Sequence, residues 1–236
     1  MNQVKRYTPE QIHHAGMTTI TAHSACEGTA PNSREHILAA IASGAEFIEI
    51  DVRSDGEQLY LSHDLPQDFS SCVTFETLLE LISPYPTLFV NCDVKTEGLL
   101  KPIMAAAARY HMVHRILFTG QCNADGKEIK ALGGTLWHSL WYSPDFEDAI
   151  KRAVVFCKET GCTYINLDKR MVNEANIDYV QANGLNYSVW TPGEEKMLRF
   201  LLEKHVANIT TREPLLALRL RHEIQGTPEE NVSYSR

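Results

Sequence analysis

Residues 47–52 read Phe47-Ile48-Glu49-Ile50-Asp51-Val52. Successive side chains of a strand point to opposite faces, so Ile48, Ile50 and Val52 share one face and Glu49 and Asp51 share the other. Working outward, comparable β-branched or aliphatic runs recur at 18–22, 87–94, 115–119, 134–137, 163–167, 185–190 and 206–210, which makes eight predicted strands. Between them apolar residues return at helical spacing: Ile37, Leu38 and Ile41; Phe75, Leu78, Leu79 and Ile82; 99–108; Ile150 and Val154; Leu198, Leu201 and Leu202. Parallel strands require crossover helices, so eight strand-then-helix units predict an α/β fold of one (β/α)8 barrel. An open doubly wound sheet fits the same alternation but is the less economical reading.

The chain has 236 residues, 44% hydrophobic and 22% charged, the composition of an ordinary globular protein and about the size of one such barrel. No linker or repeat interrupts it, so residues 1–224 are expected to form the barrel. The polar, Gly- and Pro-containing segment 225–236 is expected to be a flexible tail. Thirty acidic residues against 22 Lys and Arg give a formal charge of −8, so no global field favours nucleic acid or anionic lipid and an anionic substrate needs local cations. The first twelve residues lack the apolar core of a signal peptide, and no run approaches the roughly 20 apolar residues of a membrane span. A cytoplasmic protein is expected. The six cysteines show no C-x-x-C pair, which predicts reduced, buried thiols rather than zinc ligands or disulfides.

Barrel chemistry sits at the C-terminal ends of strands. There the first strand runs into His23, the second carries Glu49 and Asp51, and the third places Asn91, Asp93 and Lys95 on one face. The run Leu59-Tyr60-Leu61-Ser62 delivers His63-Asp64 to the same rim. Adjacent buried carboxylates repel unless a cation sits between them, which favours a hard divalent metal on Glu49, Asp51 and Asp93, with Lys95 as a local cation. Two histidines beside it suit general acid and base work, because imidazole titrates near neutrality. Trp190, at the end of the seventh strand, and His138, after the fifth, are expected to face substrate. So are Asn166 and Asp168 on the sixth. Cys26 reads as packing rather than nucleophile. His13 and His14 precede the first strand, at the wrong end for catalysis.

These residues resemble a known family. The run from Ala22-His23-Ser24 to Pro31-Asn32-Ser33, then Gly44-Ala45-Glu46 leading into Glu49-Ile50-Asp51, then His63-Asp64, looks like the glycerophosphodiester phosphodiesterase family. Val189-Trp190-Thr191 and Ile209-Thr210-Thr211-Arg212-Glu213-Pro214 resemble its closing signatures. The resemblance implies a (β/α)8 barrel that hydrolyses a small-molecule phosphodiester to glycerol 3-phosphate and an alcohol, with Mg²⁺ or Ca²⁺. It implies His23 and His63 as the acid and base, Glu49, Asp51 and Asp93 as metal ligands, and Lys95 as a phosphate contact.

The chain departs from the family pattern in several places. Ser24 stands where the family has arginine, offering one neutral hydroxyl in place of a bidentate fork, so either weaker phosphate binding is expected or another cation, such as Arg53, Arg34 or Lys169, substitutes. Asp93 replaces a glutamate, Asn32-Ser33-Arg34 replaces Glu-Asn-Thr, and Thr211 replaces an aspartate. Only ten residues separate Asp64 from Phe75, where the family usually inserts a covering segment, so an open mouth is expected. Two alternatives keep the barrel: a phospholipase-type lyase that yields a cyclic phosphate from a larger phosphodiester, and a barrel that binds a phosphoryl ligand without turnover.

Overall fold

The computed structural model describes residues 6–233. In chain order its strands are β1 (Thr19–Ala22), β2 (Phe47–Ser54), β3 (Leu59–Leu61), β4 (Phe89–Val94), β5 (Ile116–Gly120), β6 (Thr135–Leu140), β7 (Tyr164–Asp168), β8 (Asn186–Trp190) and β9 (Asn208–Thr211). The helices are α1 (Pro9–His14), α2 (Arg34–Ser43), α3 (Phe75–Ile82), α4 (Leu100–Arg109), α5 (Gly126–Ala131), α6 (Phe146–Thr160), α7 (Glu174–Ala182), α8 (Glu195–Glu203), α9 (Pro214–Gln225) and α10 (Pro228–Ser233). All strands but β3 are parallel, and β1 pairs with both β2 and β9, which closes the sheet into an eight-stranded barrel. The short β3 folds back antiparallel on the far end of β2. Each parallel strand is followed by one of the helices α2 to α9, so the expected (β/α)8 barrel is the fold found.

Local chemistry sets the element ends. Ser33, Thr74 and Asn173 accept backbone N–H bonds at the starts of α2, α3 and α7, each satisfying a donor that the first helical turn leaves open. Gly44, with φ 84°, ends α2 in the left-handed conformation that other residues adopt at a cost. The outward strand faces, among them Ile48, Ile50, Val90, Ile165, Leu167, Val189 and Ile209, are fully buried under the helices. That apolar shell is the main hydrophobic core.

The barrel interior has two storeys. At the N-terminal end Phe47, Leu117 and Trp137 cluster with Phe89 and Tyr164, with Trp137 stacked on Tyr164 at 4.6 Å between ring centroids. Above them the inward positions turn polar, and Thr119 donates to Asn91 while Ser188 donates to Asn166. Barrel interiors are ordinarily filled by branched apolar side chains, so this hydrogen-bonded layer is a floor for a polar site rather than part of the core.

The N-terminal end is tied by a buried ion pair. Arg221 of α9 donates from both terminal nitrogens to Glu46 at 2.9 Å, and Glu46 also accepts from the Ile20 backbone N–H. From residue 225 onward, where a flexible tail is expected, Gln225 ends α9, residues 226–227 form a break and α10 covers Pro228–Ser233. Gln225 is buried because its amide serves backbone groups of two elements, accepting from Thr18 N and donating to Leu202 O, and α10 then packs against α1. Residues 234–236 lie outside the described residues. All six cysteines are free. Among the described residues no helix is long and apolar enough to cross a membrane.

Candidate active site

Register explains why three carboxylates meet. β2 and β4 are aligned so that Asp51 lies beside Asp93 and Glu49 beside Asn91. Oxygens of Glu49, Asp51 and Asp93 lie within 4.8 Å of one another, at the floor of a cavity of about 530 Å³ opening at the C-terminal end of the barrel. Lys95, two residues past Asp93, places Nζ 2.8 Å from Asp51 and 2.7 Å from Asp93. Asn32 holds Asp51 twice, donating from Nδ2 to Oδ2 at 2.7 Å and accepting its backbone N–H at 3.0 Å. The Ser24 backbone N–H donates to Glu49 at 2.8 Å, and the Ser24 hydroxyl faces Asp51 at 3.4 Å.

The electrostatics divide the carboxylates. Burial, reinforced by Asp51 and Asp93, pushes the Glu49 carboxyl well above the usual range. Burial raises Asp93 too, with Lys95 offsetting only part of it. Burial also opposes ionisation of Asp51, but Lys95 and Asn32 outweigh it and hold this carboxyl below the usual range. Lys95 is itself raised, because Asp93 and Asp51 overcome the effect of burial. One carboxylate oxygen, Asp93 Oδ1, is buried with no hydrogen-bond partner. Three carboxylates and one ammonium carry a formal charge of −2. An all-oxygen cluster with that charge, an orphaned oxygen and a destabilised glutamate suits a hard divalent cation.

The two histidines flank the cluster. His23 follows β1 and is mostly buried; its Nδ1 donates to the Ser24 carbonyl at 2.7 Å, so the neutral ring carries its proton there and keeps Nε2 as the acceptor. Burial moves its pKa below 6.5, and the positive charge of Arg212 works in the same direction. His63 is 66% exposed at the mouth, its Nδ1 2.9 Å from Asp64. Arg53 holds that loop by donating to the His63 carbonyl.

Of the residues singled out from sequence, His23, Ser24, Glu49, Asp51, His63, Asp93, Lys95, Asn166 and Trp190 all line the cavity. His138 does not, which corrects the expectation that it contacts substrate. β6 runs on to Leu140, so alternation turns Ser139 inward and His138 outward against Phe156, with ring centroids 4.6 Å apart. Asp168 is likewise diverted, gripped by Arg170 at 2.9 and 2.6 Å. Neither Arg53, Arg34 nor Lys169 reaches the cavity wall as a substitute cation. Cys26 is buried with its thiol pushed up to about 12, chiefly by burial, as expected of a packing residue.

Several wall residues are not singled out by the sequence, and three of them shape the site. Arg212, past the end of β9, lines the cavity, as does Trp141 after β6, which is 52% exposed. Gly120 ends β5 with φ +88°, and a Cβ there would fall 2.0 Å from Asp93 Oδ1. Only glycine leaves room for that carboxylate.

In comparisons with solved structures, the chain aligns with an Agrobacterium tumefaciens protein provisionally called a glycerophosphoryl diester phosphodiesterase. The TM-score is 0.79 at 19% identity, over 88% of this chain and 98% of that one. A phosphodiesterase of Oleispira antarctica, solved in complex with the product sn-glycerol-3-phosphate, aligns with a TM-score of 0.68 at 16% identity, over 88% and 98%. The glycerophosphodiester phosphodiesterase of Thermotoga maritima aligns with a TM-score of 0.65 at 18% identity, over 86% and 98%. No family model matches the chain, and no curated protein matches it in sequence. The likeness establishes the fold: this chain has the (β/α)8 architecture of those phosphodiesterases.

Proposed function

We propose that the chain belongs to the glycerophosphodiester phosphodiesterase family and hydrolyses deacylated phospholipids to sn-glycerol 3-phosphate and an alcohol. The observation that carries this reading is the convergence of Glu49, Asp51 and Asp93 within 4.8 Å, in one cavity with Lys95, His23 and His63. Likeness to a barrel solved with sn-glycerol-3-phosphate supports it. So does the sequence resemblance carried by the same residues.

Glu49, Asp51 and Asp93 would hold Mg²⁺ or Ca²⁺, which supplies Lewis-acid stabilisation of charge on the phosphoryl oxygens. The chain's own groups do the rest. Asn32 and the Ser24 backbone fix the carboxylates, so little reorganisation is needed when substrate arrives. Lys95 would contact the phosphate, with most of its charge already offset by Asp51 and Asp93 at 2.8 and 2.7 Å. His23, neutral at pH 7 with Nε2 unprotonated, accepts the proton of the attacking water as its oxygen bonds to phosphorus. The bond from phosphorus to the headgroup oxygen then breaks. His63, at the mouth where the alcohol leaves, gives that oxygen its proton, its ring oriented by Asp64. Trp190 offers an apolar wall for the glycerol carbons.

The test is release of sn-glycerol 3-phosphate from glycerophosphocholine, glycerophosphoethanolamine and glycerophosphoglycerol, with Mg²⁺, Ca²⁺ or EDTA. Metal-dependent release is expected. Absence of release with every headgroup and metal would overturn the reading.

A further inference from the structure

The cavity's fixed charge is balanced only as far as the cation. Lys95 is committed to Asp51 and Asp93 at 2.8 and 2.7 Å, and the four groups together carry −2. A divalent ion brings that sum to zero, and the proton that His63 carries as the acid is paired with Asp64 at 2.9 Å. A permanent positive charge in excess for a phosphodiester anion would come from a wall residue with no internal partner. Ser24 does not qualify, since its neutral hydroxyl faces Asp51 at 3.4 Å. Arg53 is bonded to the His63 carbonyl, and Lys169 faces Glu194 at 3.5 Å.

Arg212 is different. It lines the cavity, and among the described residues no hydrogen bond or ion pair engages its guanidinium. Its backbone is nevertheless pinned: the carbonyl accepts from Glu27 N at 2.8 Å. The preceding Thr211 hydroxyl donates to Pro192 O at 2.6 Å and accepts from Glu213 N at 3.1 Å. A fixed base under an unengaged fork suits a group whose partner arrives from solution. Arginine binds phosphate oxygens bidentately, which a lysine cannot.

We infer that Arg212 is the phosphate-binding arginine of this site, reaching the phosphoryl group from the turn after β9 and so replacing the cation that Ser24 lacks. The inference rests on the proposed phosphodiester chemistry but concerns anion binding, so it can be tested apart from turnover. sn-Glycerol 3-phosphate and inorganic phosphate are titrated calorimetrically into the full chain with and without Mg²⁺, comparing wild type, Arg212→Gln, Arg212→Lys and the double variant Arg212→Gln/Ser24→Arg. Arg212→Gln is expected to weaken glycerol 3-phosphate binding to the Mg²⁺-loaded chain by about ten- to a hundredfold, the scale of a lost charge-assisted bond. Arg212→Lys should recover part of this. The double variant should recover more, because β1 and β9 are paired with Ala22 beside Thr211, so an arginine at 24 leaves the neighbouring strand end and offers the fork to the same anion, a rescue that a purely structural role does not give.

Arg212→Gln binding within twofold of wild type in both metal states overturns the inference, as does a wild type that binds neither anion. If binding depends on Arg212 but no diester is hydrolysed, the inference stands and the proposed activity fails. If hydrolysis proceeds and Arg212→Gln binds normally, the reverse holds.

Discussion

Glu49→Gln separates the charge of the third carboxylate from its shape. The side chain is 6% exposed and its Oε2 accepts the Ser24 N–H at 2.8 Å, a bond that the glutamine carbonyl oxygen can reproduce. Without a cation, burial and the neighbouring Asp51 and Asp93 favour the protonated acid, and glutamine imitates that neutral form. Metal-free stability should therefore change by less than about 1 kcal/mol, since the hydrogen bond is kept and no ion pair is lost. With a cation the position changes, because binding must displace the Glu49 proton and glutamine has no charge to offer. At free Mg²⁺ 100 times the wild-type Kd, linkage stabilises the wild type by about 2.7 kcal/mol. For a chain of this length that is about 5–11 °C in Tm. An affinity tenfold weaker leaves about 1.4 kcal/mol, and one a hundredfold weaker about 0.4 kcal/mol. Calorimetric melts of both proteins in EDTA and in Mg²⁺ measure all four states. The wild-type metal shift should also grow as pH rises and the Glu49 proton is more easily lost, whereas the variant's should be flatter. A variant that keeps the full metal shift refutes the reasoning, as does one destabilised by more than about 2 kcal/mol in EDTA, which would mean that Glu49 is ionised and structurally paired.

Three further outcomes are expected. Burial lowers the His23 pKa, so the unprotonated base persists as pH falls past 6.5, and the acid limb of kcat/KM should lie below that value; a bound cation adds to the shift, and a limb at or above 6.5 contradicts the base assignment. In Gly120→Ala the new Cβ meets Asp93 Oδ1 at a backbone φ of +88°. It should cost about 2–4 kcal/mol in denaturant melts and weaken the metal-induced Tm shift, so a variant matching wild type in both rejects the close-packed account of Asp93. Arg221→Met leaves Glu46 buried without its partner and should cost about 3–5 kcal/mol, while Glu46→Leu/Arg221→Met recovers most of it; a double variant no better than the single one contradicts an ion pair that acts as a unit.

Much of the site was legible because period-two geometry acts within a single strand. Glu49 with Asp51, and Asn91 with Asp93, share faces by sequence position alone, and the eight runs of β-branched and aliphatic residues all became barrel strands. What escaped depended on where strands end and how neighbours align. The β-branched and aliphatic run stops at Trp137, which puts His138 at the rim; the strand itself continues to Leu140, and one residue of parity moves the ring to the outer face. Gly120 owes its identity to a carboxylate on the adjacent strand, which no local pattern encodes. Arg212 stands two residues past Thr210, on the inward side of β9, and the same alternation argument applied at that end would have found it. The helices α5 and α7 are short and weakly striped. Gln225 is buried for its hydrogen bonds, a reason that apolar periodicity does not register.

Metal-dependent hydrolysis by the two histidines is tested by phosphorus NMR of glycerophosphocholine incubated with wild type, His23→Ala and His63→Ala, in Mg²⁺ and in EDTA. The proposed mechanism requires conversion to sn-glycerol 3-phosphate by the wild type with metal alone, and little conversion by either variant although each melts as a folded protein. Conversion that is indifferent to EDTA or undiminished in His23→Ala would contradict it, and a cyclic phosphate as the final product would contradict hydrolysis as the outcome.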